Sequence, residues 1–431
     1  MSAAVTPVEV ELEEAHDLPI ADVFVVTHTG TMLDPPGREG SLNLALRSAR
    51  RGTASRSARE IDLEIDRMGA ELSTSSDPTS TTLHVSVLRR NLAPMLELLR
   101  EIVTEPRFPP HDVAQVQREI KADLIDARDD DRGLAGRHFR RALFAGHAFG
   151  RPSAGTPETL SRVRVDDAVE TWRRTMRRGN VIVAAAGDVR PDELSRFAEG
   201  VRAGLNPGAS PSREVDEPKR LKGRHLLIVD KPGRTQTQIY IGNVASHARD
   251  RDHAAMVLGN TVFGGTFSAR LMREVRSKRG WSYVASSRLG RDRAREAWWM
   301  WSFPGAADAP ACVALQLRMV RDLVQRGVRP RELDLAKSFL RRGRAFELDT
   351  PTRRLSQRIE ERVLGLPRGW YDRLNERLDA VTVDDVNAAL QRRLSAEDLL
   401  VTVVATASEL RAPLEKVGGF DSVRVVPFDA D

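Results

Sequence analysis

Three groups of residues have the types and spacing to do chemistry. Arg276 and Tyr283 stand seven apart in Arg-Ser-Lys-Arg-Gly-Trp-Ser-Tyr. A guanidinium and a phenol are strong hydrogen-bond donors, suited to an oxygen that gathers negative charge. The plain alternative is a solvated helix arginine followed by a tyrosine that opens a strand. Gly264-Gly265, in VFGGTFSARL, permits positive φ and close approach of another backbone, or simply a tight helix–strand turn. The nine histidines form the third group. His138 and His147 are nine apart, and His28, His84, His225, His247 and His253 are scattered with no i, i+3 or i, i+4 pairing, so no helix face carries two histidine ligands. No G-x-S-x-G elbow or Walker loop occurs. The single Cys312 excludes an intrachain disulfide and a cysteine zinc site; in the apolar run ACVALQLRMV it reads as a small core residue.

The positioning framework is that of a globular protein. The chain has 431 residues, 41% hydrophobic and 30% charged, with a net charge of +6, which suggests two to four domains with ample core. No apolar run approaches the roughly 18–20 residues that span a bilayer, so no membrane association is expected. The first twenty residues are acidic and lack the basic and apolar regions of a signal peptide. That points to the cytoplasm, with the periplasm still open if an export segment has been removed. Seven lysines against 60 arginines explain the high isoelectric point. The arginines alternate with carboxylates (RSAREIDLEIDR), as on solvated helix faces, and no nucleic-acid-binding signature accompanies them.

The chain repeats itself. VRVDDAVETWRRTMRRGNVIVAAAGDV pairs with VTVDDVNAALQRRLSAEDLLVTVVATA at an offset of 218, and two helix–turn–helix segments turn at Pro110 and Pro330. In each copy an Asp pair (Asp166-Asp167, Asp384-Asp385) begins a helix, suiting an N-terminus. Residues 206–218, rich in Pro, Gly and Ser, read as a linker between an N-terminal lobe (1–205) and a C-terminal lobe (219–431). Strands are predicted over ADVFVVTHT, TTLHVSVL, RHLLIVD and TQTQIYIGNV, with Leu83, Val85 and Val87 on one face. Ser57 and Glu60 predict a capping box before a helix with the stripe Ile61, Ile65, Met68. In AWWMWSF, Trp299 and Trp301 share one face of a strand and Trp298 and Met300 the other, with at least one face in the core. The expected fold is α+β: two homologous lobes, each a mostly antiparallel sheet covered by helices on one face.

With two such lobes, several strings resemble the pitrilysin/insulinase metallopeptidase family. LDPPGREGSLNLALRSARRGTASRSAREIDLEIDRMGAEL is similar to the region that carries the family's zinc motif, and VDKPGRTQTQIYIG, LGNTVFGGTFSARLMREVRSKRGWSY and the VTVDDV helix resemble its C-terminal domain. The resemblance runs from about residue 20 to 410. It implies half of a clamshell that encloses a peptide. The family's H-x-x-E-H places two histidine ligands and a glutamate base on one helix. Registered by Gly40 and by Gly52-Thr53, those positions here hold Asn43, Leu46 and Arg47, and Asp123 is the match for the distal acidic ligand. Asparagine is a poor zinc ligand, leucine moves no proton, and arginine is a permanent cation. The expectation is therefore no metal and no cofactor in this chain, and no hydrolysis by it alone. Arg47, with Arg50 and Arg51, would stabilise the collapsed metal pocket, grip an acidic substrate segment, or be an ordinary solvated helix end. The resemblance further implies that Arg276 and Tyr283 act in trans on the substrate carbonyl, that Gly264 and Gly265 line the cleft, and that the partner is a homologous H-x-x-E-H subunit holding zinc, as in the zinc-less subunit of the bacterial two-chain branch and of mitochondrial processing peptidase. The alternative is a proteolytically inactive structural or peptide-holding homologue, a homodimer included.

Overall fold

The computed structural model describes residues 8–430. The signal-peptide reading rests partly on residues 1–7, which lie outside the described residues. The chain forms two compact units. One combines the chain up to Ile125 with Arg151–Glu214 and Ala345–Gly369; the other combines Asp126–Gly150, Val215–Arg344 and the chain from Trp370. The expected single cut at 206–218 differs from this in two segments, each of which packs with the unit of the other sequence half.

The first unit holds a five-stranded sheet of β1 (Glu9–Glu14), β2 (Ile20–Thr27), β3 (Glu71–Ser76), β4 (Thr81–Leu88) and β5 (Val181–Gly187), in the order β1-β5-β2-β4-β3. Only β1 and β5 run parallel. The second unit has β6 (Arg224–Asp230), β7 (Gln238–Ser246), β8 (Ala285–Leu289), β9 (Glu296–Ser302), β10 (Leu399–Ala405) and β11 (Ser422–Pro427), in the order β11-β6-β10-β7-β9-β8. Without β11 the second order repeats the first strand for strand, as the 218-residue offset requires. Local signals are realised as well. Alternate residues of β4 are buried, and the Ser57–Glu60 capping box opens helix Ala58–Met68 with Ile61, Ile65 and Met68 inside. Trp298 and Met300 are buried on one face of β9, and Trp301 on the other. Among the described residues no helix is long and apolar enough to cross a membrane.

Burial on one sheet face was expected, but the central strands are buried on both. In β5, Val181, Val183 and Ala185 belong to the main core of the unit. By alternation Ile182, Ala184 and Ala186, each 0% exposed, face the other way, and helix Pro351–Val363 packs there across β1 and β5. In β10, Leu400 and Val404 cluster with Leu134 and Phe139 of helix Asp131–Leu143. The two exchanged segments are thus the covers of the second faces. The aliphatic runs VIVAAA and LLVTVVA are the pattern of strands covered on both sides.

An ion-pair ladder seats helix Pro351–Val363 on the first sheet. Glu9, Glu11 and Glu13 share one face of β1, and Arg354, Arg358 and Arg362 recur every fourth residue along the helix. Two residues of strand rise about 6.8 Å and four of helix about 6 Å, so the rows stay in step. Arg354 Nε donates to Glu13 at 2.6 Å, Arg358 Nη1 to Glu13 at 2.6 Å, and Arg362 Nη2 to Glu11 at 2.7 Å. Burial raises the Glu13 pKa, but the hydrogen bonds from Arg354 and Arg358 outweigh it and leave the carboxyl below its ordinary value. Removing Arg358 leaves a partly buried charge short of a donor. Arg358→Ala therefore lowers unfolding free energy by about 1.5–3 kcal/mol in urea titrations, whereas Arg353→Ala, from an exposed pair with Asp349, costs no more than about 0.5 kcal/mol.

In the second unit, His253 begins a helix (His253–Asn260) at 2% exposure, and its ring lies 5.5 Å from that of Trp370. Neither ring nitrogen has a hydrogen-bond partner among the described residues. Burial, then the charges of Arg291 and His247, push its pKa down to about 3, against the pull of Asp252. The folded chain holds the ring neutral while the unfolded chain protonates it near pH 6.5, so this stability is complete above about pH 6.5 and is lost as pH falls toward 3. Relative to His253→Leu, the wild type loses about 2 kcal/mol between pH 7.5 and pH 5, measurable by denaturant titration at both values.

Candidate functional site

The helix that carries Asn43, Leu46 and Arg47, Ser41–Ser48, is anchored at its N-terminus by Asp34. This carboxylate accepts from the Gly40 amide at 2.8 Å and the Leu42 amide at 2.9 Å. Asp34 is 3% exposed, and burial pushes its pKa up to about 6 against those two bonds. Gly40 has φ +94°, and a Cβ there would lie 2.6 Å from the Ala154 carbonyl oxygen, so both conformation and space demand glycine. The helix buries Leu42, Leu44, Ala45 and Leu46. Leu46 is 1% exposed and part of the core.

Asn43 and Arg47 lie one turn apart on the half-exposed side of the same helix. Arg47 Nη1 donates to Asp123 Oδ2 at 2.6 Å, and its Nη2 is 3.8 Å from Glu119. Glu119 and Asp123 are themselves one turn apart on helix Pro110–Asp126. Arg51 reaches Glu119 at 3.1 Å, and Arg50 reaches Asp62 at 2.6 Å. The fold thus brings together two of the positions singled out in the sequence, Arg47 and Asp123, but through a direct ion pair. A groove of about 520 Å³ opens beside them, lined by Arg47, Arg50, Arg51, Asp62, Asp66 and the edge-strand residues Leu72 and Thr74. Its cations are matched by carboxylates, so it is no free anion site, and the notion of Arg47 as a grip for acidic substrate loses its support. A metal does not fit this donor set. The guanidinium already bonds the one acidic ligand, and among the described residues no three His, Cys, Asp or Glu side chains converge to hold an ion.

In the second unit, helix His253–Asn260 continues into a wide turn over Thr261–Gly265, and a second wide turn covers Arg273–Ser277. Such i→i+5 turns shift side chains out of ordinary helical register. The Asn260 carboxamide oxygen accepts from Ser287 Oγ at 2.7 Å and from Trp298 Nε1 at 3.0 Å, which ties the first turn to the sheet. Gly264 is buried, and a Cβ there would stand 2.5 Å from Ser287 Oγ; its glycine is accounted for by packing on β8. Gly265 is exposed. Gly280, at φ +67°, closes the second turn and sends the chain through Trp281 to Tyr283.

Arg276 and Tyr283 do meet. The Arg276 guanidinium carbon is 4.3 Å from the centre of the Tyr283 ring. The same carbon is 4.7 Å from the centre of the Phe267 ring, a residue the sequence reading passed over. Tyr283 and Phe267 are each 70% exposed. Glu274 engages Lys278 at 2.7 Å and Arg279 at 2.9 Å, and Arg276 has no carboxylate within ion-pair distance among the described residues. Its face is held by rings while its N–H edge stays available, an arrangement that donates to an incoming oxygen. The only sign of Phe267 in the sequence was a large aromatic two residues beyond a glycine pair, off any helical or strand period.

Comparison with known proteins assigns the chain. The family description "Insulinase (Peptidase family M16)" matches residues 9–156, and "Peptidase M16 inactive domain" matches residues 162–340. The chain belongs to peptidase family M16. Among M16 relatives it is 21% identical to the non-peptidase homolog YmxG of Helicobacter pylori, over 92% of each chain. It is 28% identical to an uncharacterized zinc protease of Mycobacterium leprae, over 80% of this chain and 78% of that one. Its fold matches the M16 inactive domain from Pseudomonas fluorescens with a TM-score of 0.86 at 22% identity, covering 94% and 96% of the two chains. A chain of complex III2 from Candida albicans matches with a TM-score of 0.75 at 15% identity, covering 96% and 99%.

Within this M16 scaffold the ion pair joins two positions that the sequence register matches to the family's zinc ligands, and that match can be tested. The wild-type chain is expected to carry no stoichiometric zinc after gel filtration. Asn43→His with Arg47→His puts two imidazoles one turn apart opposite Asp123 and binds about one zinc per chain, measured by elemental analysis. Adding Asp123→Asn to that pair weakens binding at least about tenfold.

Proposed function

We propose that this chain is the zinc-less half of a two-chain M16 peptidase. A homologous subunit bearing H-x-x-E-H supplies zinc, general base and water. This chain supplies Arg276 and Tyr283 as donors to the carbonyl oxygen of a bound peptide, where charge develops during hydrolysis. An extended segment adds to an exposed sheet edge, which binds backbone without reading much sequence; β3 is a terminal strand of its sheet. The observation that carries the reading is a contrast. The motif arginine is spent on Asp123 at 2.6 Å, while Arg276 keeps its donors beside an exposed phenol.

A second reading, a homologue that holds peptide or serves as structure without cutting, draws support from the name of the Helicobacter pylori relative, "Non-peptidase homolog". The two part on one experiment. The chain is purified alone and with a homologue that carries H-x-x-E-H, and each sample is assayed with a quenched fluorescent peptide. The expected outcome is no turnover alone and turnover in the mixture, with Arg276→Ala or Tyr283→Phe lowering kcat/KM by about 10²-fold. Undiminished kcat/KM in both variants would remove these residues from the chemistry, and an inert mixture that still binds peptide would favour the second reading.

A further inference from the structure

Phe267 is one of several exposed large apolar residues of its unit, and it is set apart by its contact with Arg276. Phe263, Leu271 and Val275 around it are 0% exposed and Trp298 is 1% exposed, whereas Phe267 presents 70% of its surface. It is held there by a short turn. The Ala269 amide donates to the Thr266 carbonyl at 3.2 Å, Thr266 and Ser268 join their hydroxyls at 3.4 Å, and buried Ala269 anchors the far side. The turn leads directly from Gly264, which is packed against Ser287 of edge strand β8. One locus therefore carries an exposed apolar ring and a guanidinium with free donors 4.7 Å from it. A lone apolar ring in water gains from being covered, and a guanidinium edge without an acceptor gains from an oxygen. A single ligand satisfies both if a large apolar side chain lies next to a peptide carbonyl.

We propose that Phe267 is the selectivity residue of the Arg276/Tyr283 site: it takes a large aliphatic or aromatic side chain of an extended peptide whose neighbouring carbonyl oxygen is held by Arg276. This rests on the peptide-binding reading above and adds to it the class of segment bound. An acidic segment is the competitor, since a guanidinium takes carboxylates as well.

The test uses the full chain and four fluorescein-labelled nonapeptides identical except for a central Leu, Phe, Ser or Asp, with affinity read by fluorescence anisotropy. Leu- and Phe-centred peptides are expected to bind about tenfold more tightly than the Ser-centred one, a difference of about 1.4 kcal/mol. Phe267→Ala levels that preference and Phe267→Leu restores it. Arg276→Ala weakens all four while keeping their order. A preference that survives Phe267→Ala, or an Asp-centred peptide that binds best, overturns the proposal and leaves the peptide-binding reading standing. Arg276→Ala without effect on any peptide overturns the reading of the site itself, and a wild-type chain that binds none of the four overturns both. Phe267 is exposed, so its substitution spares the core.

Discussion

Everything in this chain hangs on sheets that are covered on both faces. A central strand such as VIVAAAG has no polar side to give to water, so a second layer must exist, and in each unit that layer is a helix from the other half of the sequence. Alanines at 184 and 186 bring helix Pro351–Val363 close to β5. The arginine rows on that helix then fix its register along β1, because strand and helix repeat at nearly equal distances. Apolar burial supplies the drive and the ion pairs supply the alignment, a division that suits the weak net energy but strong geometry of guanidinium–carboxylate contacts.

The same pairing of guanidinium and carboxylate recurs where the sequence register aligns the family's zinc motif. Zinc in an H-x-x-E-H site balances the charge of an acidic ligand from a neighbouring helix. Without the metal, Glu119 and Asp123 would face each other one turn apart with their charge unmet. Arg47 and Arg51 meet that charge from the facing helix, and since a guanidinium does not give up its proton near neutral pH, the substitution holds at any physiological pH. Leu46, on the same helix as Arg47, is part of the core. These contacts lie within one packed unit and leave its facing cations and carboxylates paired.

Arg276 shows the opposite use of the same side chain. Its neighbours Lys278 and Arg279 are tied down by Glu274, while Arg276 rests against two aromatic rings. Cation–π contact orients a guanidinium without consuming its N–H edge. The functional proposals follow from this difference between neutralised and available arginines in a chain that has 60 of them.

Much of this was legible in the residues. The repeat, the strand alternation of Leu83, Val85 and Val87 and the Ser57–Glu60 cap are local patterns, and local patterns are set by backbone periodicity and hydrogen-bonding chemistry that travel with the sequence. The exchanged helices were not legible, because an amphipathic stripe states that a face must be buried and not which sheet will bury it. Nor was the Arg47–Asp123 bond, whose partners are 76 residues apart, nor the burial of Gly264 against β8, since the glycine pair allowed close approach of another backbone or a tight turn alike. Phe267 is the clearest case: whether an aromatic side chain joins the core or faces water depends on what the rest of the chain has already filled, and only the tertiary structure decides that.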